Sequence, residues 1–233
     1  MKTFRSKRGP FAEQPFFTDT DLESICADEL RKHDLLPARP EPIRIERFVE
    51  KRFKVNVEPM NLGEGVLGLT KFGPSGVVGI YVSETLETER SKISERRVRS
   101  TIAHEAGHGL LHTHLFALSN NTPLFGDFSD PETPKVLCRE DRLDEGRKQY
   151  GGEWWEFQAN AAMGHLLMPR VLVEDAVRPF LITVGHLGGK EIDPDRYDLA
   201  VRSLAETFDV NPAVSRIRLE AYYPVKANRQ MML

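Results

Sequence analysis

Apolar positions along this chain follow two rhythms. Leu22, Ile25, Cys26 and Leu30 recur at helical spacing, predicting a helix capped by Asp19 or Thr20 and running to about residue 34. Ile45, Phe48, Val49 and Phe53 repeat the pattern, and the charged Arg44, Glu46, Arg47, Glu50, Lys51 and Arg52 around them read as a solvated face. Residues 37–42, with three prolines, form a stiff linker between these helices. The rhythm then changes. Residues 66–72 and 77–82 are β-like runs joined by Gly73-Pro-Ser-Gly76, which predicts a hairpin, and Val55 and Val57 extend it as a candidate third strand. A charged stretch over 87–99 opens a helix with Ile102, Ala103, Ala106, Leu110 and Leu111 on it. After Leu115 the pattern breaks, and the polar, proline-containing residues 118–152 are expected to be a long loop or insertion. Further helices are predicted over about 153–168, closed by Pro169, and near 195–208 and 212–222. Residues 1–17, with Pro10 and Pro15 and no periodicity, are expected to be a flexible lead-in.

Composition narrows the class. The 233 residues are 40% hydrophobic, enough for a substantial core, and the net charge of −3 gives no general case for binding nucleic acid or an anionic membrane. No apolar run approaches the length of a membrane span, and the basic N-terminus lacks the apolar stretch of a secretory signal. The two cysteines, Cys26 and Cys138, are expected to be reduced thiols in a cytoplasmic protein. Cys26 lies on an apolar stripe and reads as core. Cys138, placed in the loop, has a thiol able to reach and block a metal, although a partly buried thiol is the plainer reading.

The chemistry concentrates in Thr101-Ile-Ala-His-Glu-Ala-Gly-His-Gly-Leu-Leu111. Histidines four apart share one face of a helix, one turn from each other, so His104 and His108 can hold one divalent cation. Glu105 is not needed as a ligand and is free to act as general base on a water. Its apolar flanks place this helix in a core, where unpaired imidazoles would be costly.

Two histidines do not complete a catalytic site, and a third protein donor is required. Glu156, on the later helix, is the best candidate, with Glu153 as a competitor almost one turn earlier. Asn160 lies one turn beyond Glu156 on the same face and offers an oxygen to the second ring nitrogen of a ligating histidine. His165 is half a turn out of phase with Glu156 and should point away, as a packed or partly exposed ring. His112 is on the ligand face but one turn further along, His114 is off it, and His33 and His186 are expected at the surface.

These motifs give the chain a resemblance to the ImmA/IrrE family of metallo-endopeptidases. Arg99-Ser-Thr-Ile-Ala-His-Glu-Ala-Gly-His108 resembles that family's catalytic-helix string, and Glu156-Phe-Gln-Ala-Asn160 with Leu166-Leu-Met-Pro169 resembles its later segment. The preceding hairpin and the ending over 204–219 also fit, so the resemblance covers roughly residues 43–221. It implies an α+β, zincin-like domain over 41–223, with a small antiparallel sheet packed on helices. A one-helix N-terminal extension over 1–40 and a tail over 224–233 flank it. It further implies Zn²⁺ held by His104, His108 and Glu156, Glu105 as catalytic acid/base, and a protein substrate such as a helix-turn-helix repressor. The chain departs from the family at Ser100 and Ala162, where bulkier residues are usual, and in the long gap between His108 and Glu156. The inserted residues 118–152 are a candidate substrate-recognition loop or lid.

A peptidase would align an extended peptide on a free strand edge of the hairpin. A reading from another class is a regulator that binds DNA or a partner through the C-terminal helix pair over 204–219, with Arg216 and Arg218 as phosphate contacts. The acidic residues Glu206, Asp209 and Glu220 in that segment argue against it, and no direct contact with nucleic acid is expected. A third is a pseudo-enzyme that uses the fold to bind a partner.

Overall fold

A computed structural model describes residues 2–5, 13–88, 90–118, 135–139, 154–185 and 188–224. The mixed α+β character expected from the two rhythms is present. Strands β1 (Lys2–Arg5) and β2 (Glu13–Phe16) pair antiparallel, so part of the expected lead-in is a small sheet instead. Helix α1 (Asp19–Lys32) is capped by Thr18, one residue before the first of the two anticipated caps. Thr18 accepts from the Asp21 N–H at 3.1 Å, and Asp21 accepts from the Thr18 N–H at 2.8 Å, a reciprocal box that satisfies two otherwise orphaned donors. Helix α2 (Ile45–Phe53) buries Ile45, Phe48 and Val49 as the spacing predicted.

Strands β3 (Val57–Met60), β4 (Val66–Gly73), β5 (Gly76–Ser83) and β6 (Lys135–Arg139) form one sheet in the order β3-β5-β4-β6. The β4–β5 hairpin is as expected, its tight turn ending on Gly76 at φ +127, a region closed to most side chains. Two expectations are corrected here. The sheet is mixed rather than antiparallel, because β3 runs parallel to β5. Neither hairpin strand has a free edge, because β3 flanks β5 and β6 flanks β4. Strand β6 comes from the segment expected to be a loop, and it contains the backbone of Cys138, whose thiol lies outside the described side chains. The neighbouring residues of that insertion, together with Glu153 and His186, also lie outside the described residues.

Helices α3 (Glu84–Thr88), α4 (Lys92–Leu111) and α5 (Thr113–Leu118) follow the hairpin, and α6 (Trp154–Leu167) and α7 (Arg170–Ala176) follow the insertion. A hairpin of β7 (Leu181–Val184) and β8 (Gly189–Ile192) leads to α8 (Tyr197–Phe208) and α9 (Pro212–Tyr222). Helix α4 packs on β4 and β5 on one side and along α6 on the other. Ile102 and Ala106 of α4 share a core with Phe48, Ile80, Val82 and Leu166, and the same core takes in Leu22, Cys26 and Leu30 of α1. The helix of the N-terminal segment therefore packs into the same core as α4.

The turn between α8 and α9 braces α4. Asp209 there adopts a left-handed conformation at φ 51 and accepts from the Arg96 guanidinium at 3.0 Å, while Arg99 donates to the Ile43 carbonyl at 2.9 Å. Arg216 pairs with Asp198, and buried Arg218 donates to the Met168 carbonyl. Both arginines offered as phosphate contacts are thus engaged within the chain. Among the described residues, no helix is long and apolar enough to cross a membrane.

Candidate metal centre

The antiparallel approach of α4 and α6 brings the expected donors together. Gly107 makes it close. A Cβ on Gly107 would meet the Ala159 carbonyl oxygen at 3.0 Å and Ala162 Cβ at 3.1 Å. Ala162, where the resemblance leads one to expect a bulkier residue, therefore lies against Gly107 in the helix contact. Ser100, the other departure, is buried with its hydroxyl donating to the Arg96 carbonyl.

His104 Nε2 lies 3.0 Å from His108 Nε2 and 3.1 Å from Glu156 Oε2, and His108 Nε2 is 3.4 Å from Glu156 Oε1. All three residues are buried, and their donor atoms fall within 4.8 Å of one another. A tetrahedral ion bonded at about 2.0–2.1 Å has donor-to-donor edges of about 3.3 Å, so the cage fits a divalent cation. His104 Nδ1 lies 2.9 Å from Asn160 Oδ1, an oxygen that can only accept. His104 thus carries its proton on Nδ1 and keeps Nε2 bare for a ligand.

Electrostatics agree with this donor set. Burial works against the charge on Glu156, but its contacts with His108 and His104 more than offset that and hold the carboxyl far below the usual range. Burial pushes the His108 ring down, while the Glu156 carboxylate beside it works the other way. Two imidazoles and one carboxylate make a buried set of electron-pair donors suited to a divalent ion.

Glu105 is fully buried on the sheet side of α4, and burial pushes its carboxyl up to about 8. Thr70 of β4 donates to Oε2 at 2.5 Å, while buried Oε1 has no hydrogen-bond partner among the described residues. Gly68 makes room for that carboxylate, since a Cβ there would lie 2.6 Å from Oε1. Neither Thr70 nor Gly68 was singled out from sequence. The signal available was their two-residue spacing on one face of β4.

His112, a secondary candidate from sequence, is not in the donor set. It is fully buried behind His108, with the two Nδ1 atoms 3.0 Å apart and its Nε2 3.1 Å from Gln158 Oε1. Gln158 donates in turn to the Pro15 carbonyl of β2 at 2.8 Å. His165 points away from the centre, as its helical phase required, and is buried against Glu23 at 2.9 Å and Asp19 at 3.2 Å. His33 is partly buried against Phe48 rather than at the surface, and His114 is exposed.

No family model matches the chain. Cytosolic glucose-6-phosphate isomerases of Clarkia arcuata, Clarkia williamsonii and Oenothera sinuata var. hirsuta are each 31% identical to it over 100 residues. Those residues make up 42% of this chain and 17% of each relative, so the match is to a small part of a much longer protein. A match of that extent does not carry the isomerase activity to this chain.

Proposed function

We propose that the chain is a zinc-dependent endopeptidase acting on a protein substrate. The observation that carries this reading is the convergence of His104, His108 and Glu156 on one point, with Glu105, next to His104 on α4, also buried. Zinc would supply Lewis acidity, polarising a water and the scissile carbonyl. The residues of the chain would handle the proton. Thr70 fixes Oε2 of Glu105, leaving Oε1 as the atom to take the proton of the attacking water and return it to the leaving amine. With both hairpin strands internal, an extended peptide would add to an outer strand of the sheet, and β6 is the one beside β4. The resemblance to ImmA/IrrE peptidases points to a helix-turn-helix repressor as the substrate class, in a stress or mobile-element response, and to a cytoplasmic setting.

The test pairs metal analysis of the purified protein with digestion of a proteome-derived peptide library read by mass spectrometry. Zinc near one equivalent and new peptide termini are expected for the wild type. Glu105→Gln should keep the metal and lose cleavage, and retained turnover in that variant would remove Glu105 from its role.

A further inference from the structure

The Pro15 carbonyl is the fixed end of a chain of polar groups that begins at the metal centre. A carbonyl only accepts, so the Gln158 atom 2.8 Å from it is the amide nitrogen, donating. The Gln158 oxygen then faces His112 Nε2 at 3.1 Å, and that ring nitrogen must carry the hydrogen. A neutral ring protonated on Nε2 has a bare Nδ1. His112 Nδ1 therefore accepts, and the donor 3.0 Å away is His108 Nδ1. With its proton on Nδ1, neutral His108 presents a bare Nε2 towards His104 and Glu156. Each link points the same way, and no group is asked to donate and accept at one atom. The chain is also shielded: His108 and His112 are fully buried, Gln158 is buried, and the Trp154 ring packs edge-on to His112 with centroids 5.6 Å apart.

We infer that His112 and Gln158 are positioning residues: anchored on the Pro15 carbonyl, they lock His108 in its Nδ1–H tautomer and aim the Nε2 lone pair at the cation. Asn160 does the same for His104, so each ligating ring has its own orienting partner. The consequence for metal affinity rests on the metal-centre reading above, whereas the proton order does not. The relay also ties strand β2 to the centre, through a hydrogen bond between residues 143 apart in sequence.

The experiment uses the full-length chain. Long-range ¹H–¹⁵N correlation spectra of the histidine rings separate Nδ1–H from Nε2–H tautomers in metal-free protein. His108 is expected as Nδ1–H and His112 as Nε2–H, and the reverse order or a mixture would overturn the relay. Zinc affinity is read in parallel by competition with a chromophoric chelator. His112→Leu and Gln158→Leu are expected to lose about 10–100-fold, the usual effect of removing an orienting partner. His112→Asn keeps an acceptor opposite His108 Nδ1 and should recover most of the affinity. A space-filling role predicts the opposite ranking, with Leu better than Asn, and that ranking would also overturn the relay. Wild-type protein that binds no zinc would refute the metal-centre reading instead, and the spectra would still decide the proton order.

Discussion

Gly107→Ala is the sharpest probe of how packing sets the donor cage. The added Cβ would lie 3.0 Å from the Ala159 carbonyl oxygen, 3.1 Å from Ala162 Cβ and 3.3 Å from Ala159 Cα. Two of these neighbours are backbone atoms, and none can rotate away. Ordinary contacts at about 3.5–4.0 Å require α4 and α6 to part by roughly half an ångström. Overpacking of that kind costs about 1–3 kcal/mol, and the better helix propensity of alanine returns about 1 kcal/mol. The balance is a loss of about 1 kcal/mol, a fall in Tm of about 2–4 °C for a chain of this size.

Metal binding should suffer more than stability. Gly107 lies between His104 and His108, and its contacts on α6 are within a turn or two of Glu156. Parting the helices by half an ångström exceeds the tolerance of about 0.2 Å on metal–ligand distances. Calorimetric unfolding and zinc competition on the same preparation read both effects. A lower Tm with a zinc affinity reduced about tenfold is expected, which is about 1.4 kcal/mol of lost binding. A raised Tm with unchanged affinity would show that α6 yields without moving Glu156, and would refute the claim that this contact sets the cage.

Gly68→Ala tests the other side of α4: its methyl would fall 2.6 Å from both Glu105 Oε1 and Thr101 Cγ2, so the carboxylate must shift. Cleavage should drop at least about tenfold, with stability reduced by about 1–3 kcal/mol and zinc still bound, and wild-type turnover of a peptide substrate would contradict it. Glu23→Gln probes the brace between α1 and the C-terminal helices. Burial alone would raise the Glu23 carboxyl, but hydrogen bonds from His165, Tyr222 and the Arg170 N–H lower it to about 2. A depressed carboxyl contributes stability that is present above its unfolded value near 4.5 and is lost as pH falls through about 2. After discounting for its partial exposure, roughly 1–2 kcal/mol should separate wild type from variant at pH 7 in urea titrations and shrink towards pH 2. A difference that is flat across that window would show the ionised form to be irrelevant.

Local features made the donor set legible in the sequence. His104, Glu105 and His108 belong to one helical segment, where spacing alone decides which side chains share a face. Glu156 and Asn160 were within reach because a catalytic centre needs a third donor and an orienting partner, and the two stand one turn apart on α6. Strand β6 was not legible, because its pairing with β4 is a long-range contact and Lys135–Arg139 lie among polar and proline-containing neighbours. The β1–β2 pair was missed for the same reason: Pro15 reads as a breaker until its partner strand is known.

The proton order at the centre was hidden more deeply. Gln158 is about 200° around α6 from Glu156, so helical phase argued against its serving the same site. It does so indirectly, from behind His108, through a ring that phase alone had made only a distant ligand candidate. What decides the direction of every hydrogen in that chain is a proline carbonyl in the segment that looked least structured. Ligand identity is written in residue type and local spacing. Tautomer is written in the far end of a hydrogen-bond chain, which only the folded backbone supplies. A centre of this kind can therefore keep its full motif in sequence and still lose affinity through a change at a position the motif never names.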